Sequence, residues 1–394
     1  MGALEFLCDV RFHHSFLLPP DPRTGRRKPF RVSYSDFGDS DSDAVVVFCG
    51  ALMDTRLSYA PLDQLAKVYH VRMIHADRPG IGGTDPVEQH QRIATWLEIV
   101  PALLAHLKIS HVSLASHSGG DIYLFNTLLT FPHLLHPTTP YVTFFAPWVH
   151  HSHTGVTQMR ATELLPAPLI GRFAALARFV NNNVIPLADL SSAFLHRLKD
   201  SFRHSTSAPA PVSLSPKPMS RASSTKGVAP GLDLDDPAVV DEMRQLITTY
   251  LFAENTDGIS ADAQLFLKKP HSTPWHSGIF WSDIDHVVPL LRKIILEDQD
   301  RKEDGRRWLV DAYHAETDSM VGARGRVWFD NCWSSGSSDA QSPAVGEERS
   351  RNSLEYRSET VPYTDHNYIM DPGFGCSERW LERVREAFPQ NEEV

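Results

Sequence analysis

The sequence predicts an α/β protein: a mostly parallel central sheet with helices on both faces and a helical cap inserted in the middle of the chain. Three observations predict it. Buried-strand runs alternate with amphipathic helices over residues 1–147. A helical stretch with a long Ser/Pro/Ala run breaks that rhythm over 148–274. Strand and helix signals then resume over 275–394. Strand and helix alternating at this spacing mean an open parallel sheet covered on both sides.

His14–Leu18 and Phe30–Tyr34 are short apolar runs joined by PPDPRTGRRKP, which reads as a hairpin or meander with a long turn. Ala44–Phe48 (AVVVF) is a continuous β-branched run, the pattern of a strand buried on both faces. Leu57–Tyr69 has helical spacing, and Val71–Ala76 is a second buried strand. Arg92–Leu107 is an amphipathic helix with Trp96, Ile99, Val100, Leu103 and Leu104 on one face. Val112–Ala115 is a third buried strand, Asp121–Leu129 a helix stopped by Phe131-Pro132, and Tyr141–Ala146 a fourth.

The cap region carries helical spacing at Ile170–Val180, Leu187–Lys199 and Val239–Phe252. Its run from Ser205 to Gly231 is too polar and Pro-rich to bury a core and should be disordered. Met159, Leu164, Leu165, Phe173, Leu176 and Phe179 are expected to form cap core, with some lining a pocket. Strands are expected at Trp308–Tyr313 and Leu354–Val361, a polar loop at Ser334–Ser353, and a last helix near Ser377–Phe388. Glu297–Arg307 reads as a solvated helix end or loop.

Composition narrows the function classes. The chain has 394 residues, with 48 acidic and 38 basic side chains, hence a net charge of −10. An acidic chain lacks the clustered Lys and Arg that nucleic acid needs. No run reaches the ~18 apolar residues of a membrane span, so stable membrane insertion is not expected. Cys8, Cys49, Cys332 and Cys376 are too scattered for a disulfide framework and fit a reducing compartment. The N-terminus has neither a basic head nor an unbroken apolar run, and Phe6 stands where myristoylation wants Ser or Thr. The expectation is a cytoplasmic protein.

Ser116-His117-Ser118-Gly119-Gly120 follows a buried strand and opens a helix. It resembles the nucleophile elbow, G-x-S-x-G, of the α/β-hydrolase superfamily. A nucleophile on a strained strand-to-helix turn needs small residues two before and two after it. Ser116 and Gly120 meet that need, although Ser116 replaces the more common Gly. Asp77-Arg78-Pro79-Gly80-Ile81-Gly82-Gly83-Thr84-Asp85 resembles the superfamily's D-R-P-G-x-G-x-S segment, whose glycines and proline are turn chemistry with a structural role. Cys49-Gly50-Ala51 stands where the family usually carries His-Gly-x. Cys49 replaces that His and reads as a small buried hydrophobe.

The resemblance covers about residues 30–135 and 305–390. It implies an α/β-hydrolase fold and a serine hydrolase with chain order Ser, acid, His. Ser118 is then the nucleophile, Asp318 the acid on the turn after WLVDAY, and His366 the base after the last strand. Glu316 is the second candidate acid. Asp311 should face the sheet flank, and Asp365 is too close to the base to orient it. The backbone N–H groups of Ala51 and Gly119 are the expected oxyanion donors, each contributing about 3 kcal/mol, with Leu52 replacing Ala51 if the loop is shifted by one.

No cofactor is implied. Gly80, Gly82 and Gly83 lack the Lys-Ser/Thr ending of a phosphate cradle. His150-His151-Ser152-His153 lacks a further ligand at metal spacing. The expected substrate is a small apolar carboxylic ester or thioester. A Ser nucleophile argues against epoxide hydrolases and haloalkane dehalogenases, which use Asp at the elbow. The Ser/Pro-rich cap loop resembles fungal members, which leaves a biosynthetic thioesterase or cyclase as one alternative. A non-catalytic α/β-hydrolase-like binding protein is a second. A membrane-surface lipase, using the mildly amphipathic Leu187–Lys199, is a third.

Overall fold

The structure is a computed structural model that describes residues 2–22, 24–175, 177, 232–234, 236–269, 275, 281–300, 307–334 and 354–389. In chain order its regular elements are α1 (Ala3–Leu7), β1 (His14–Leu18), β2 (Phe30–Gly38), β3 (Val45–Cys49), α2 (Asp63–Val68), β4 (Arg72–Ala76), α3 (Arg92–Leu107), β5 (Ser113–His117), α4 (Gly120–Thr130) and β6 (Tyr141–Phe145). There follow α5 (Thr157–Ala161), α6 (Ala167–Ile170), α7 (Pro237–Ala253), α8 (Asp257–Phe266), α9 (Ile284–Asp300), β7 (Trp308–Thr317), α10 (Gly322–Ser334), β8 (Leu354–Asp365) and α11 (Cys376–Glu386).

The strands form one eight-stranded sheet in the order β1-β2-β4-β3-β5-β6-β7-β8. β1 and β2 pair antiparallel, as do β2 and β4; every later pair is parallel. The continuous apolar run of β3 explains its central place, because its side chains alternate between two cores. Val45, Val47 and Cys49 face one core with Trp96, Phe125, Leu291 and Phe329, from α3, α4, α9 and α10. Val46 and Phe48 face the other with Phe6, Leu65 and Trp380, from α1, α2 and α11.

The chain turns from β3 to β4 on one side and then crosses to β5 on the other. The connections after β3 and β5 therefore start out toward opposite sides, the reversal of strand order at whose carboxyl ends open α/β sheets place ligand sites. Helices α5 to α8 lie in the long connection between β6 and β7. Backbone bonds fasten α8 and the residues before it to the loop after β4: Gly82 N–H donates to Asn255 O at 2.9 Å, and Gly258 N–H to Gly80 O at 2.8 Å. The Arg56 guanidinium joins the same seam, 2.8 Å from Asp77 Oδ2 and 2.6 Å from Glu254 Oε1. Among the described residues no helix is long and apolar enough to cross a membrane.

Several details differ from the sequence reading, among them the helices α9 and α10, which it did not expect. The helix expected over Leu57–Tyr69 is a 3-10 turn at Ala60–Leu62 followed by the short α2, because Pro61 has no N–H to continue a helix across it. Helical structure at the start of Ile170–Val180 is interrupted by a turn at Gly171-Arg172. The charged run from Glu297 agrees with the helix-end reading, since it begins in the last turn of α9, which reaches Asp300. β8 extends four residues beyond Val361. The expected helix at 187–199, the Ser/Pro-rich run at 205–231 and nearly all of the polar loop at 334–353 lie outside the described residues.

Trp380 joins the helix layer to the sheet. It is fully buried, edge-on to Phe48 and Phe145 at centroid distances of 6.0 and 5.0 Å. Trp380→Ala should cost about 3–5 kcal/mol of unfolding free energy, measured by urea denaturation.

Candidate active site

Ser118 directly follows β5 and has φ 51°, the left-handed region that a side chain other than glycine rarely occupies. Its N–H donates to Phe145 O at 2.9 Å, which ties the strained turn to the neighbouring strand. The turn has no room for bulk. A Cβ on Gly120 would lie 2.1 Å from Cys49 O, and one on Gly119 would lie 2.1 Å from the Phe266 ring. Gly120→Ala should therefore displace the elbow against backbone and cost about 1–3 kcal/mol, seen as a lowered Tm together with slower reaction at Ser118.

The sheet brings three strand ends together here. Asp318 directly follows β7, and His366 directly follows β8. A register shift between β7 and β8 lies between Ala315 and Thr317, and Thr317 Oγ1 donates to Thr364 O at 2.9 Å. His366 Nδ1 lies 2.8 Å from Asp318 Oδ2, and His366 Nε2 lies 2.8 Å from Ser118 Oγ. With the Nδ1 proton donated to the carboxylate, Nε2 is the acceptor for the serine hydroxyl. All three side chains are buried.

Asp318 remains a carboxylate in this dry setting. Burial raises its pKa, but His366 and the N–H groups of Met320 and Val321, which donate to Oδ1 at 2.8 and 2.7 Å, bring it below the usual value. Burial of His366 opposes its charge, yet the charge and hydrogen bond of Asp318 outweigh that and raise its pKa above the ordinary histidine value. The other carboxylates nearby are committed elsewhere. Glu316 accepts from Tyr363 N–H, Asp365 from the N–H groups of Asn367 and Tyr368, and Asp311 from Tyr141 and Arg383.

The loop after β3 corrects one expectation. Ala51 N–H, expected to face an oxyanion, donates to Asp54 Oδ2 at 2.6 Å, while Asp54 N–H donates back to Ala51 O at 3.0 Å. This reciprocal pair closes the 51–54 turn, and it consumes the Ala51 donor. The carbonyls of Gly50, Ala51 and Leu52 all accept from the buried Arg78 guanidinium. A trans peptide points its C=O and N–H in opposite directions. The Leu52 amide therefore faces away from Arg78, and among the described residues neither the Leu52 nor the Gly119 N–H donates to a backbone carbonyl. Gly119 lies at the N-terminal end of α4, where orphan N–H groups and the helix dipole favour negative charge.

Sequence reasoning passed over a polar network behind these groups. His117 Nε2 lies 2.7 Å from His366 O and donates to it; His117 Nδ1 lies 3.0 Å from the Tyr59 hydroxyl, which donates to Asp54. Burial brings the His117 pKa below the ordinary histidine value. Position alone, next to Ser118, was the available signal. Cys49 is buried, and burial pushes its thiol up to about 12, which leaves no thiolate. His150 and His153 turn to different partners, Ser152 and Asp283. Among the described residues no group of three His, Cys, Asp or Glu side chains is arranged to hold a metal.

No protein-family model matches the chain, and no curated protein sequence does. Solved structures do match. An epoxide hydrolase from Vigna radiata superposes with a TM-score of 0.51 at 12% identity, covering 96% of this chain and 100% of that one. A point mutant of esterase E22 superposes with a TM-score of 0.50 at 10% identity, covering 96% and 99%. The chain has the α/β-hydrolase fold.

Proposed function

We propose that this protein is a serine hydrolase that cleaves small carboxylic esters or thioesters through an acyl-enzyme. The observation that carries this reading is the unbroken chain Ser118–His366–Asp318, two contacts of 2.8 Å, hung on a left-handed nucleophile turn. A Ser-His-acid constellation is recognised by such geometry and by roles. The epoxide hydrolase neighbour shares the scaffold, and Ser118 gives this chain different chemistry at the elbow.

Ser118 Oγ attacks the substrate carbonyl carbon as its proton passes to His366 Nε2. The carbonyl π pair moves onto oxygen, where the Gly119 and Leu52 amides receive it. The tetrahedral centre then collapses. The bond to the alcohol or thiol breaks, and His366 returns the proton to that leaving group. Water next gives a proton to His366 and attacks the acyl carbon, the bond to Oγ breaks, and the proton ends on Ser118. Asp318 keeps Nε2 as the acceptor and stabilises the imidazolium. We read residues 148–274 as the cap over this site and His366, Asp318 and Ser118 as its catalytic residues. The Phe266 ring against Gly119 favours an apolar acyl or aromatic group beside the nucleophile.

A fluorophosphonate probe tests the nucleophile. Intact mass should show one adduct on the wild type and none on Ser118→Ala. A folded wild type that takes no label would overturn the reading in favour of a binding protein.

The pH profile tests the base. His366 acts only when neutral, and its raised pKa moves deprotonation upward. kcat/KM for p-nitrophenyl butyrate should rise with pH through a midpoint above the ordinary histidine value of 6.5. Asp318→Asn removes the raising charge and leaves the burial penalty. Its midpoint should move to lower pH while kcat/KM falls about 10⁴-fold.

A further inference from the structure

Helix α8 touches both halves of the oxyanion site, with residues one helical turn apart. Phe266 packs its ring over Gly119, closely enough that a Cβ there would collide with it. Asp262, four residues earlier on the same face, is fully buried and accepts from Arg78 Nε at 2.7 Å. The same Arg78 gives three of its four remaining N–H groups to the carbonyls of Gly50, Ala51 and Leu52. Arg92 Nε holds the other Asp262 oxygen at 2.7 Å, and Tyr123 donates to it as well. Asp262 is thus an ionised carboxylate with a fixed orientation, its pKa held down by the two guanidinium groups against burial.

We propose that Asp262 is a positioning residue: acting through Arg78, it orients the peptide planes of the loop after β3 so that the Leu52 amide faces the reacting carbonyl. The proposal rests on the serine-hydrolase reading above. Arg has five donors in a planar fork, so a carboxylate bound at Nε fixes where both Nη groups point. Those groups set the direction of three successive carbonyls, and each carbonyl sets the amide on the other side of its peptide plane. The cap helix therefore governs the donor set as well as covering it.

Arg78 and Arg92 each pair with Asp262, but only Arg78 touches the oxyanion loop; Arg92 Nη1 donates to Pro79 O. That asymmetry separates positioning from structural support. Arg78→Lys and Arg92→Lys both keep a cation beside Asp262, and Lys cannot reproduce a planar fork. Three measurements on both variants and on Asp262→Asn serve as the test. The first is the fraction of protein labelled by the fluorophosphonate probe. The second is kcat and KM for p-nitrophenyl butyrate per labelled site. The third is hydrogen exchange of the 49–54 segment.

Arg78→Lys and Asp262→Asn should lose about 100-fold in kcat per labelled site, with KM within about twofold of wild type. Their 49–54 amides should exchange faster. Arg92→Lys should stay within about threefold of wild type and keep the loop protected. Equal losses in Arg78→Lys and Arg92→Lys, or losses confined to the labelled fraction, would overturn the proposal. If Asp262→Asn does not fold, the two lysine variants decide it alone. A wild type that takes no label defeats the catalytic reading. The exchange comparison still judges the arrangement, because equal protection of 49–54 in all variants overturns it without any turnover.

Discussion

The left-handed turn at Ser118 constrains everything around it. A strand that must become a helix within two residues lifts the first one's side chain clear of the sheet, and Ser118 does so at a φ of 51°. The cost of that conformation, of order 1–3 kcal/mol, is met by the surroundings. Phe145 O holds the serine N–H, and Gly120 leaves space for the carbonyl of Cys49. Because β3 lies directly beside β5, the same closeness brings the loop after β3 to the nucleophile. The candidate site is a consequence of strand order, with Asp318 and His366 arriving at the ends of β7 and β8.

Buried charge follows from this placement. A guanidinium that organises backbone carbonyls inside a protein must be desolvated, which is costly unless its own charge is balanced. Arg78 is balanced by Asp262, Arg56 by Asp77 and Glu254, and both pairs reach across to the chain beyond β6. The pairs lie on the seam where Gly80 and Gly82 exchange backbone bonds with Gly258 and Asn255. Such pairs add little net stability compared with apolar packing, but they admit few alternative arrangements. They fix how the seam closes, and the loop after β3 inherits that geometry.

Much of this was legible because it is local. β3, β5 and β6 announce themselves by uninterrupted burial, α3 by its apolar stripe, and the elbow by Ser118 between small residues. The expectation for Asp318 and His366 came from the resemblance, which implies an acid and a histidine after the last two strands, and both residues do follow β7 and β8 directly. What escaped was either diluted or long-range. α9 carries Ile284, Val287, Val288, Leu291 and Ile295 on one face, but Pro289 and the acidic tail masked the period. α10 offers little more than Phe329 and Trp333 to the core. Arg78 and Asp262 stand 184 residues apart, and no spacing rule joins them. Ala51 fails for a different reason. The motif located the loop correctly, but which amide is free depends on the Asp54 side chain closing the turn.

That last point bears on how scaffold and chemistry divide. An epoxide hydrolase and an esterase share this sheet at 12% and 10% identity, so the architecture by itself selects no reaction. On the proposed reading, selection lies in a few atoms at strand ends: a hydroxyl at Ser118, a carboxylate whose second oxygen is held by two amides, and an imidazole whose backbone carbonyl is held by His117. In the proposed mechanism each reacting group is held by a partner that takes no part in the bond changes. The second layer therefore determines whether the first can act. On the proposed reading that layer is drawn from both the sheet loops and helix α8, through the pairing of Asp262 with Arg78, which makes the chain between β6 and β7 part of the chemistry.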